Sequence, residues 1–466
     1  MTTTTNDAMP PPKAAAAKRA LSETQENASE RPEQSKRARL RRPHLPPPPS
    51  IAPHPLGIRP LGNLPFAKQE PGFVDTRASG LGTRTFARLD DEFVLAFVVN
   101  YLDPRSLCAL AGTSRAWMAF WEYDEIWKGW VLEHWRDQPT KPKRFAASTG
   151  LWRHTYAMAV RPTYHPKPWT PVHAHHMHSD LLYQAHLNAV TPLAHAVATL
   201  DALTDMGVFR RLDTVDRPTA DQFRARYEEP SVPVVLRGCM TTWSALRDWE
   251  WTKLEAAAGQ VPLRAEAIDM TLSEYLAYLR TAPPDEAPVY LFDKDYPRQG
   301  EAGAKLAAAF AVPEYFTADL FSVLGPTRPD FSWLIIGPER SGSSHHKDPN
   351  LTAAWNAVVR GKKLWVMYPP DLVPPGVYPS DDGAEVTTPN SVSEWFRTWL
   401  PLTRQLVKGV PREGRPLWGI CGEGEIMFVP HGYASTFFLY IDVNTETLVV
   451  CLDGGTPSST SSHRSR

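Results

Sequence analysis

The chain is organised around the stretch Ser341-Gly-Ser-Ser-His-His-Lys-Asp-Pro349. His346 and Asp348 stand two residues apart, so in an extended segment both side chains leave the same face. One imidazole and one carboxylate on one face can reach a single metal ion, and such a pair is two-thirds of a 2-His-1-carboxylate site. The spacing alone is far more typical of a polar strand end before Pro349.

The next stretch, Trp355-Asn-Ala-Val-Val-Arg-Gly-Lys-Lys-Leu-Trp-Val-Met-Tyr368, predicts a β-hairpin. Arg360-Gly361 separates two apolar, β-rich runs and is typical of a two-residue turn. With that turn, Lys363 faces the same side as Asn356 and lies diagonal to it. A lysine aimed across a mostly apolar face is costly unless an anion meets it. Lys363 is therefore a candidate anion ligand, whereas we expect Lys362 to be a solvated edge lysine.

These motifs belong to a longer run that resembles the Jumonji-C oxygenases. It begins Trp333-Leu-Ile-Ile-Gly-Pro-Glu-Arg-Ser-Gly-Ser-Ser-His-His-Lys-Asp-Pro349 and continues to Trp365. The run is most similar to the group that contains lysyl hydroxylases and arginine demethylases, and the similarity extends from about residue 210 to Gly432. The site residues that the resemblance implies are His346 and Asp348 as ligands of Fe(2+), and Ser343 (usually Thr in the family), Asn356 and Lys363 as ligands of 2-oxoglutarate.

The resemblance also implies a fold and an activity. Alternating short strands with Gly and Pro turns over residues 210–453 indicate a closed double-sheet β fold. In the Jumonji-C family this α+β architecture is a double-stranded β-helix, a jelly-roll or cupin-like barrel with helices outside. The implied activity is that of an Fe(II)- and 2-oxoglutarate-dependent protein oxygenase, which hydroxylates lysine or demethylates arginine side chains, for example of histones.

The similarity fails at one position of the metal site. The family's second histidine ends a strand that reads roughly Gly-Glu-x-x-Phe-Val-Pro-x-Gly-Trp-Trp-His, whereas this chain has Gly424-Glu-Ile-Met-Phe-Val-Pro-His-Gly-Tyr-Ala-Ser435. Ser435 therefore stands where the third ligand belongs. His431 precedes it by four residues, about 13 Å along a regular strand, which is too far to substitute. Either the sequence after Gly432 is altered or catalysis is lost.

Residues 84–160 predict a helical module. Asp103-Pro104 ends one amphipathic helix and starts another, and Ser114-Arg-Ala-Trp117 opens a third. The run Leu102-Asp-Pro-Arg-Ser-Leu107 and the Ser-Arg-x-Trp motif resemble an F-box, whose helices dock on the adaptor of a cullin ubiquitin ligase. Residues 84–135 are therefore a candidate adaptor site. The alternative is that these helices pack on the oxygenase domain without an outside partner.

The N-terminal segment, residues 1–80, has few apolar residues and many Pro, Ser, Glu and Ala, so we expect it to be disordered. Its basic clusters Lys18-Arg19 and Lys36-Arg-Ala-Arg-Leu-Arg-Arg42 resemble a bipartite nuclear import signal, which predicts a nuclear protein. The alternatives are a solvated charge run or weak phosphate contacts with nucleic acid. We expect a second disordered tail at residues 454–466.

The histidines of the connector and the cysteines of the chain do not indicate a metal site. Residues 161–209 form a connector whose four histidines have no carboxylate or thiol at ligand spacing, so we interpret them as a polar loop; they are His173, His175, His176 and His178. The four cysteines of the chain are far apart, which favours neither a zinc site nor a disulfide framework.

Composition sets the remaining limits. The 466 residues predict two or three domains, and 50 basic against 51 acidic residues give no overall attraction to nucleic acid or membrane. No apolar run reaches the roughly 18 residues of a membrane span, and the N-terminus has no signal-peptide core. We therefore expect a soluble intracellular protein without direct nucleic-acid binding beyond the basic tail.

Overall fold

The structure is a computed structural model, and it describes residues 44–82, 85–146, 149–166, 177–281, 285–348, 352–381, 385–440 and 449–457. Several sequence features lie outside the described residues, namely both basic clusters, His173, His175 and His176. No helix within the described ranges is long and apolar enough to cross a membrane.

Helices dominate the first half of the chain. Those that the structure describes are α1 (Leu64–Ala67), α2 (Thr76–Leu81), α3 (Asp91–Phe97), α4 (Pro104–Ala111), α5 (Arg115–Trp121), α6 (Asp124–Asp137), α7 (Trp152–Val160), α8 (Asp180–Val190), α9 (Leu193–Asp205), α10 (Ala220–Phe223), α11 (Ala245–Asp248), α12 (Trp251–Ala258), α13 (Leu272–Thr281), α14 (Gly300–Ala308), α15 (Val392–Glu394) and α16 (Thr403–Leu406).

Strands dominate the second half. They are β1 (Arg210–Arg211), β2 (Asp213–Asp216), β3 (Val234–Arg237), β4 (Pro262–Ala265), β5 (Ile268–Thr271), β6 (Leu291–Asp293), β7 (Ser332–Gly337), β8 (Gly342–His346), β9 (Thr352–Arg360), β10 (Lys362–Tyr368), β11 (Tyr378–Pro379), β12 (Val386–Thr387), β13 (Leu417–Gly422), β14 (Glu425–Val429), β15 (Ala434–Tyr440) and β16 (Val449–Pro457).

Two large sheets build the β domain. The smaller sheet has the order β1-β13-β10-β15-β8, and the larger has the order β2-β3-β14-β9-β16-β7-β6-β4-β5. The strands β7, β8, β9 and β10 alternate between the larger and the smaller sheet, as do β13 to β16. This winding is that of a double-stranded β-helix, so the predicted α+β barrel is confirmed.

The predicted β-hairpin at Arg360-Gly361 is wrong. Strand β9 is hydrogen-bonded to β14 and β16, whereas β10 is hydrogen-bonded to β13 and β15, so the two strands do not pair. Gly361 has a φ of 82°, a backbone conformation that residues with a side chain rarely adopt. This conformation allows a sharp change in the direction of the chain. The turn therefore carries the chain from one sheet to the other.

Each sheet has one face toward the barrel interior and one face toward helices. The interior cluster includes Val358 of β9 and Trp365 of β10. Helix α9 covers the outer face of the smaller sheet, where Leu200 and Leu203 pack in one cluster with Val366. Residues 180–205 of the predicted connector are thus largely helical, and they complete this outer layer.

Helices α4 and α5 begin where the sequence predicts, whereas α3 ends at Phe97 and a 3-10 helix at Val99–Tyr101 precedes the predicted stop at Asp103-Pro104. Asp103 caps α4 by accepting hydrogen bonds from the backbone of Arg105 and Ser106, each at 2.9 Å. Ser114 caps α5 through the backbone N–H of Trp117 at 3.3 Å. These side chains satisfy N–H groups that have no partner inside a helix.

The module packs on the β domain through a shared aromatic core. Trp127, Trp135 and Trp152 belong to the same buried cluster as Tyr278 of α13. Asp285 accepts a hydrogen bond from the Trp152 indole at 2.8 Å and one from the Tyr278 hydroxyl at 2.9 Å. Packing of the module against the β domain is therefore present, whether or not the module also binds an outside partner.

The predicted disorder is wrong at two places that the structure describes. Residues 44–80 contain α1 and most of α2, and Ile58 is buried in the core of the helical module. This segment does not need a core of its own, since its few apolar side chains complete one that the module provides. Residues 454–457 end strand β16, so the second tail also starts later than predicted.

Asp124 joins the start of α6 to the start of α7, and this link generates a stability prediction. Its carboxylate accepts hydrogen bonds from the backbone N–H groups of Trp152 (2.7 Å) and Arg153 (3.0 Å). We expect Asp124→Ala to lower the free energy of unfolding by about 2–3 kcal/mol, because the substitution leaves two N–H donors without an acceptor. Urea denaturation followed by tryptophan fluorescence measures this change, with Asp137→Ala, an exposed residue of α6, as the control.

The same carboxyl group should give a pH dependence. Burial raises the pKa of Asp124 to about 6 from the usual 3.8, although the Arg153 and Trp152 backbone bonds oppose the shift. Between those values the folded chain binds more protons than the unfolded chain, so Asp124 makes stability fall as the pH rises from about 4 to 6. Asp124→Asn should remove this contribution, and an unchanged pH profile would contradict the assignment.

Candidate functional site

The predicted metal ligands lie at the edge of the smaller sheet. His346 ends β8, and its partner across the antiparallel β15 is Ser435. Ser435 is in turn paired with Met367 of β10, whose side chain belongs to the barrel interior. Directly paired residues point to the same side of a sheet. His346 and Ser435 therefore both face the interior, and Ser435 occupies the position across from the first ligand.

A β-bulge in β8 brings Ser343 to the same site. Ser343 pairs with Phe437 while His346 pairs with Ser435, so three residue steps on β8 match two on β15. The extra residue turns Ser343 toward His346, and the Ser343 hydroxyl lies 3.1 Å from Nδ1 of His346. Thr436 fixes this geometry by donating a hydrogen bond to the Ser343 carbonyl at 2.6 Å.

Lys363 and Asn356 are both fully buried, with 0% of each residue exposed. Lys363 lies on the interior face of β10, and its ammonium is 4.5 Å from the centre of the Trp365 ring. Within the described residues, neither polar atom of the Asn356 amide has a hydrogen-bond partner. A buried amide without a partner is costly, so its polar atoms are available to a bound ligand.

His346 and Asp348 approach each other as two ligands of one ion would. His346 Nε2 lies 3.8 Å from a carboxylate oxygen of Asp348. Burial raises the pKa of Asp348 above its usual value, whereas electrostatic interactions with His346 and Lys363 oppose this shift. The structure thus brings Lys363, the predicted anion ligand, near the predicted metal ligands.

The adjacent His345 is not part of this site. It is buried on the opposite face of β8, where its ring centre lies 4.4 Å from that of Trp395 and 5.4 Å from that of Tyr368. Burial lowers the pKa of His345 to about 3, so its imidazole is neutral. The position two before Asp348, and not its neighbour, therefore supplies the imidazole.

Sequence reasoning gave no role to the aromatic residues beside the site. Trp333 pairs with Asp453 on β16, which pairs with Asn356, so Trp333 and Asn356 share one row of the larger sheet. The Trp333 ring stacks on Phe292 with their centres 5.5 Å apart. Alternation along β7 would have placed Trp333 on the interior face, because Leu334 and Ile336 face the outer helices.

Comparison with known proteins agrees with this geometry. A family model described as "Cupin-like domain" matches residues 220–433. The chain is 38% identical to the arginine-specific demethylase JMJ22 of Arabidopsis thaliana over 383 residues, which cover 81% of this chain and 69% of the relative. This chain belongs to the cupin-like Jumonji-C family. The resemblance on which the site was predicted is therefore confirmed.

With other relatives, the aligned region covers a smaller share of the relative's length. The lysine-specific demethylase JMJ21 of Arabidopsis thaliana is 31% identical over 78% of this chain and 36% of the relative. The bifunctional arginine demethylase and lysyl-hydroxylase psr-1 of Caenorhabditis elegans is 31% identical over 46% of this chain and 54% of the relative. A second family model, "F-box domain", matches residues 86–129, so the F-box resemblance of the helical module is also confirmed.

The residues present fit 2-oxoglutarate better than they fit iron. A lysine ammonium, an amide without a partner and a serine hydroxyl face one interior, as an anionic co-substrate requires. Among the described residues, no group of three His, Cys, Asp or Glu side chains could hold a metal ion. His346 and Asp348, two of the three predicted ligands, lie close together, and Ser435 is paired with His346 across the strands.

The register of β15 predicts how the metal site can be completed. We expect Ser435→His to add an imidazole opposite His346 and to raise the affinity for Fe(II) or Mn(II) by at least about 10–100-fold, since even groups behind the direct ligands contribute that much. Anaerobic calorimetric titration measures the affinity.

Two further variants make this prediction specific. Ser435→Ala should leave the weak affinity unchanged, and Ser435→His combined with His346→Ala should lose the gain. If Ser435→His folds with an unchanged melting temperature and still binds metal no better, position 435 does not face the metal ligands.

Proposed function

We propose that this chain is a Jumonji-C protein that binds 2-oxoglutarate in its barrel and acts on lysine or arginine side chains of a protein. The observation that supports this proposal is the shared interior of Lys363, Asn356, Ser343 and the pair of metal ligands. Its relatives carry names that describe arginine and lysine demethylation and lysyl hydroxylation. With Ser435 at the third position, we expect Fe(II) binding and oxygenase turnover to be weak.

Lys363 is the group on which co-substrate binding should depend. Its ammonium can pair with a carboxylate inside a wall of apolar side chains, where water competes little and charge-assisted hydrogen bonds are strong. Asn356 and Ser343 can then orient the same molecule by hydrogen bonds. None of these contacts requires the missing metal ligand, so binding of 2-oxoglutarate should outlast the loss of tight iron binding.

Substitution of Lys363 tests this order of affinities. We expect the unmodified chain to bind 2-oxoglutarate in the presence of EDTA, and Lys363→Met to lower that affinity by about 10–100-fold, because a hydrogen bond to a charged group contributes about 1.5–3 kcal/mol. Isothermal calorimetry measures both affinities. Lys362→Met is the matched control, since this neighbouring lysine points to the other face of β10. Equal losses in the two variants would contradict the assignment.

A second candidate function is that of an adaptor for a cullin ubiquitin ligase. On α3 and the turn after it, three aromatic side chains face solvent, with exposed fractions of 45% for Phe93, 61% for Phe97 and 81% for Tyr101. Large apolar groups that cluster at the surface mark interaction sites. By contrast, Leu107 and Trp117 of the F-box motif are buried and form the core of the module, so they support the surface without forming it.

The exposed aromatic residues define the test of the adaptor function. We expect Phe93→Ser combined with Phe97→Ser to abolish co-purification of the full chain with the cullin-ligase adaptor, because the substitutions remove the apolar contact area. Val323→Ser removes an even more exposed apolar side chain (84% exposed) of the β domain and should not change the result. Co-purification that survives the double substitution would eliminate this surface as the docking site.

We also propose that the protein acts in the nucleus. The support is the sequence of Lys18-Arg19 and Lys36–Arg42, which resembles a bipartite import signal. A fluorescent fusion of the full chain should accumulate in nuclei, and serine substitutions of the basic residues at 36–42 should abolish this accumulation. An unchanged nuclear signal in that variant would show that import depends on another segment.

A further inference from the structure

A cleft of about 1140 Å³ opens in the helical module, outside the barrel. Helices α4, α6 and α7 border it, and the segment after α7 forms its end. Pockets for small molecules usually enclose about 300–1,000 Å³. The cleft is larger and open to solvent, so an extended segment of chain would fill it better than a small molecule.

The floor of the cleft is aromatic. Trp127, which is itself only 3% exposed, packs against Trp121 and Tyr156 with ring centres 6.1 Å and 5.6 Å away, and so supports the Tyr156 ring from below. Val160 of α7 adds an aliphatic surface that is 52% exposed. Tryptophan and tyrosine side chains in such fixed positions contribute much of the energy at protein interfaces, because little entropy is lost when they are covered.

The rim of the cleft is cationic. Arg105 of α4 and Arg161 after α7 both line it and are exposed, and none of the described lining residues is Asp or Glu. Nearby carboxylates already have partners. Asp103 caps α4, and Glu122 pairs with Arg153 at 2.6 Å, while the Arg153 guanidinium covers Trp121 at 4.1 Å from the ring centre.

We propose that this cleft binds an acidic peptide segment of a partner protein that carries an aromatic or large aliphatic side chain. The apolar side chain would lie on the Tyr156 ring and the Val160 side chain, and neighbouring carboxylates would meet Arg105 and Arg161. Guanidinium groups bind carboxylates with two parallel hydrogen bonds, which also fixes the direction of the segment.

Charge and shape favour a peptide over a single-stranded nucleic acid. A nucleic acid needs a continuous positive groove along its backbone, with one base after another stacked on aromatic rings. Here the exposed arginines lie on two separate elements, α4 and the segment after α7, and Val160 adds exposed apolar surface. The site involves neither the barrel interior nor Phe93 and Phe97. The test of peptide binding is therefore independent of the tests of the proposed function.

Selection from a displayed library of random peptides tests the proposal on the full chain. Peptides that bind the unmodified protein, but not Arg105→Glu combined with Arg161→Glu, should be enriched in Asp and Glu around an aromatic or large aliphatic residue. Fluorescence anisotropy with a labelled enriched peptide should show an affinity loss of about tenfold or more for the double variant, because both rim charges are reversed. Val160→Ser should weaken the same peptide.

Arg136→Glu is the matched control, because this exposed arginine of α6 does not line the cleft. It should leave peptide binding unchanged, as should Phe97→Ser, and melting temperatures establish that each variant is folded. Failure to enrich peptides, enrichment without acidic residues, or equal binding to the double variant would overturn the proposal. An oligothymidylate of about twelve nucleotides that displaces the peptide and binds more tightly would also overturn it, in favour of a nucleic-acid site.

Discussion

Burial of polar groups inside an apolar barrel is the constraint on which the site depends. Transfer of an ammonium or an amide from water into such an interior costs free energy unless a partner compensates it. Asn356, whose amide has no hydrogen-bond partner within the described residues, incurs this cost in an interior whose buried apolar side chains are mainly Val, Leu and Met. A ligand that hydrogen-bonds this amide would offset much of the penalty. The unsatisfied amide therefore supports the proposal that the barrel interior binds a ligand.

The helical module depends on the barrel for part of its own stability. Trp127, Trp135 and Trp152 are buried against the β domain, and the Asp285 carboxylate connects Trp152 with Tyr278. A flexible linker would let an F-box move independently of its neighbour, whereas a shared aromatic core fixes their relative orientation. A partner that binds at Phe97 would consequently meet the barrel at one defined angle.

Sequence patterns correctly predicted the helix starts, which depend on neighbouring residues. They failed for strand pairing, which depends on strands distant in the sequence. The starts of α4 and α5 follow from Asp103 and Ser114, whose caps involve only the next three residues. The Arg360-Gly361 turn has the same local signal as a hairpin, but β14 and β16 occupy both edges of β9. Lys363 nevertheless lies on the interior face of β10, because it alternates along the strand with Trp365 and Met367, which belong to the interior cluster.

The register of β15 describes the backbone geometry around Ser435. If the chain after Gly432 had lost the barrel geometry, β15 would not align with its neighbours. Yet Ser435 pairs with His346 and Met367, and Thr436 holds the carbonyl of Ser343. The backbone at position 435 therefore follows the barrel strand, although Tyr433, Ala434 and Ser435 all differ from the family's Trp-Trp-His. Whether the serine arose by substitution or by an altered transcript, a histidine at this position needs no new fold to complete the metal site.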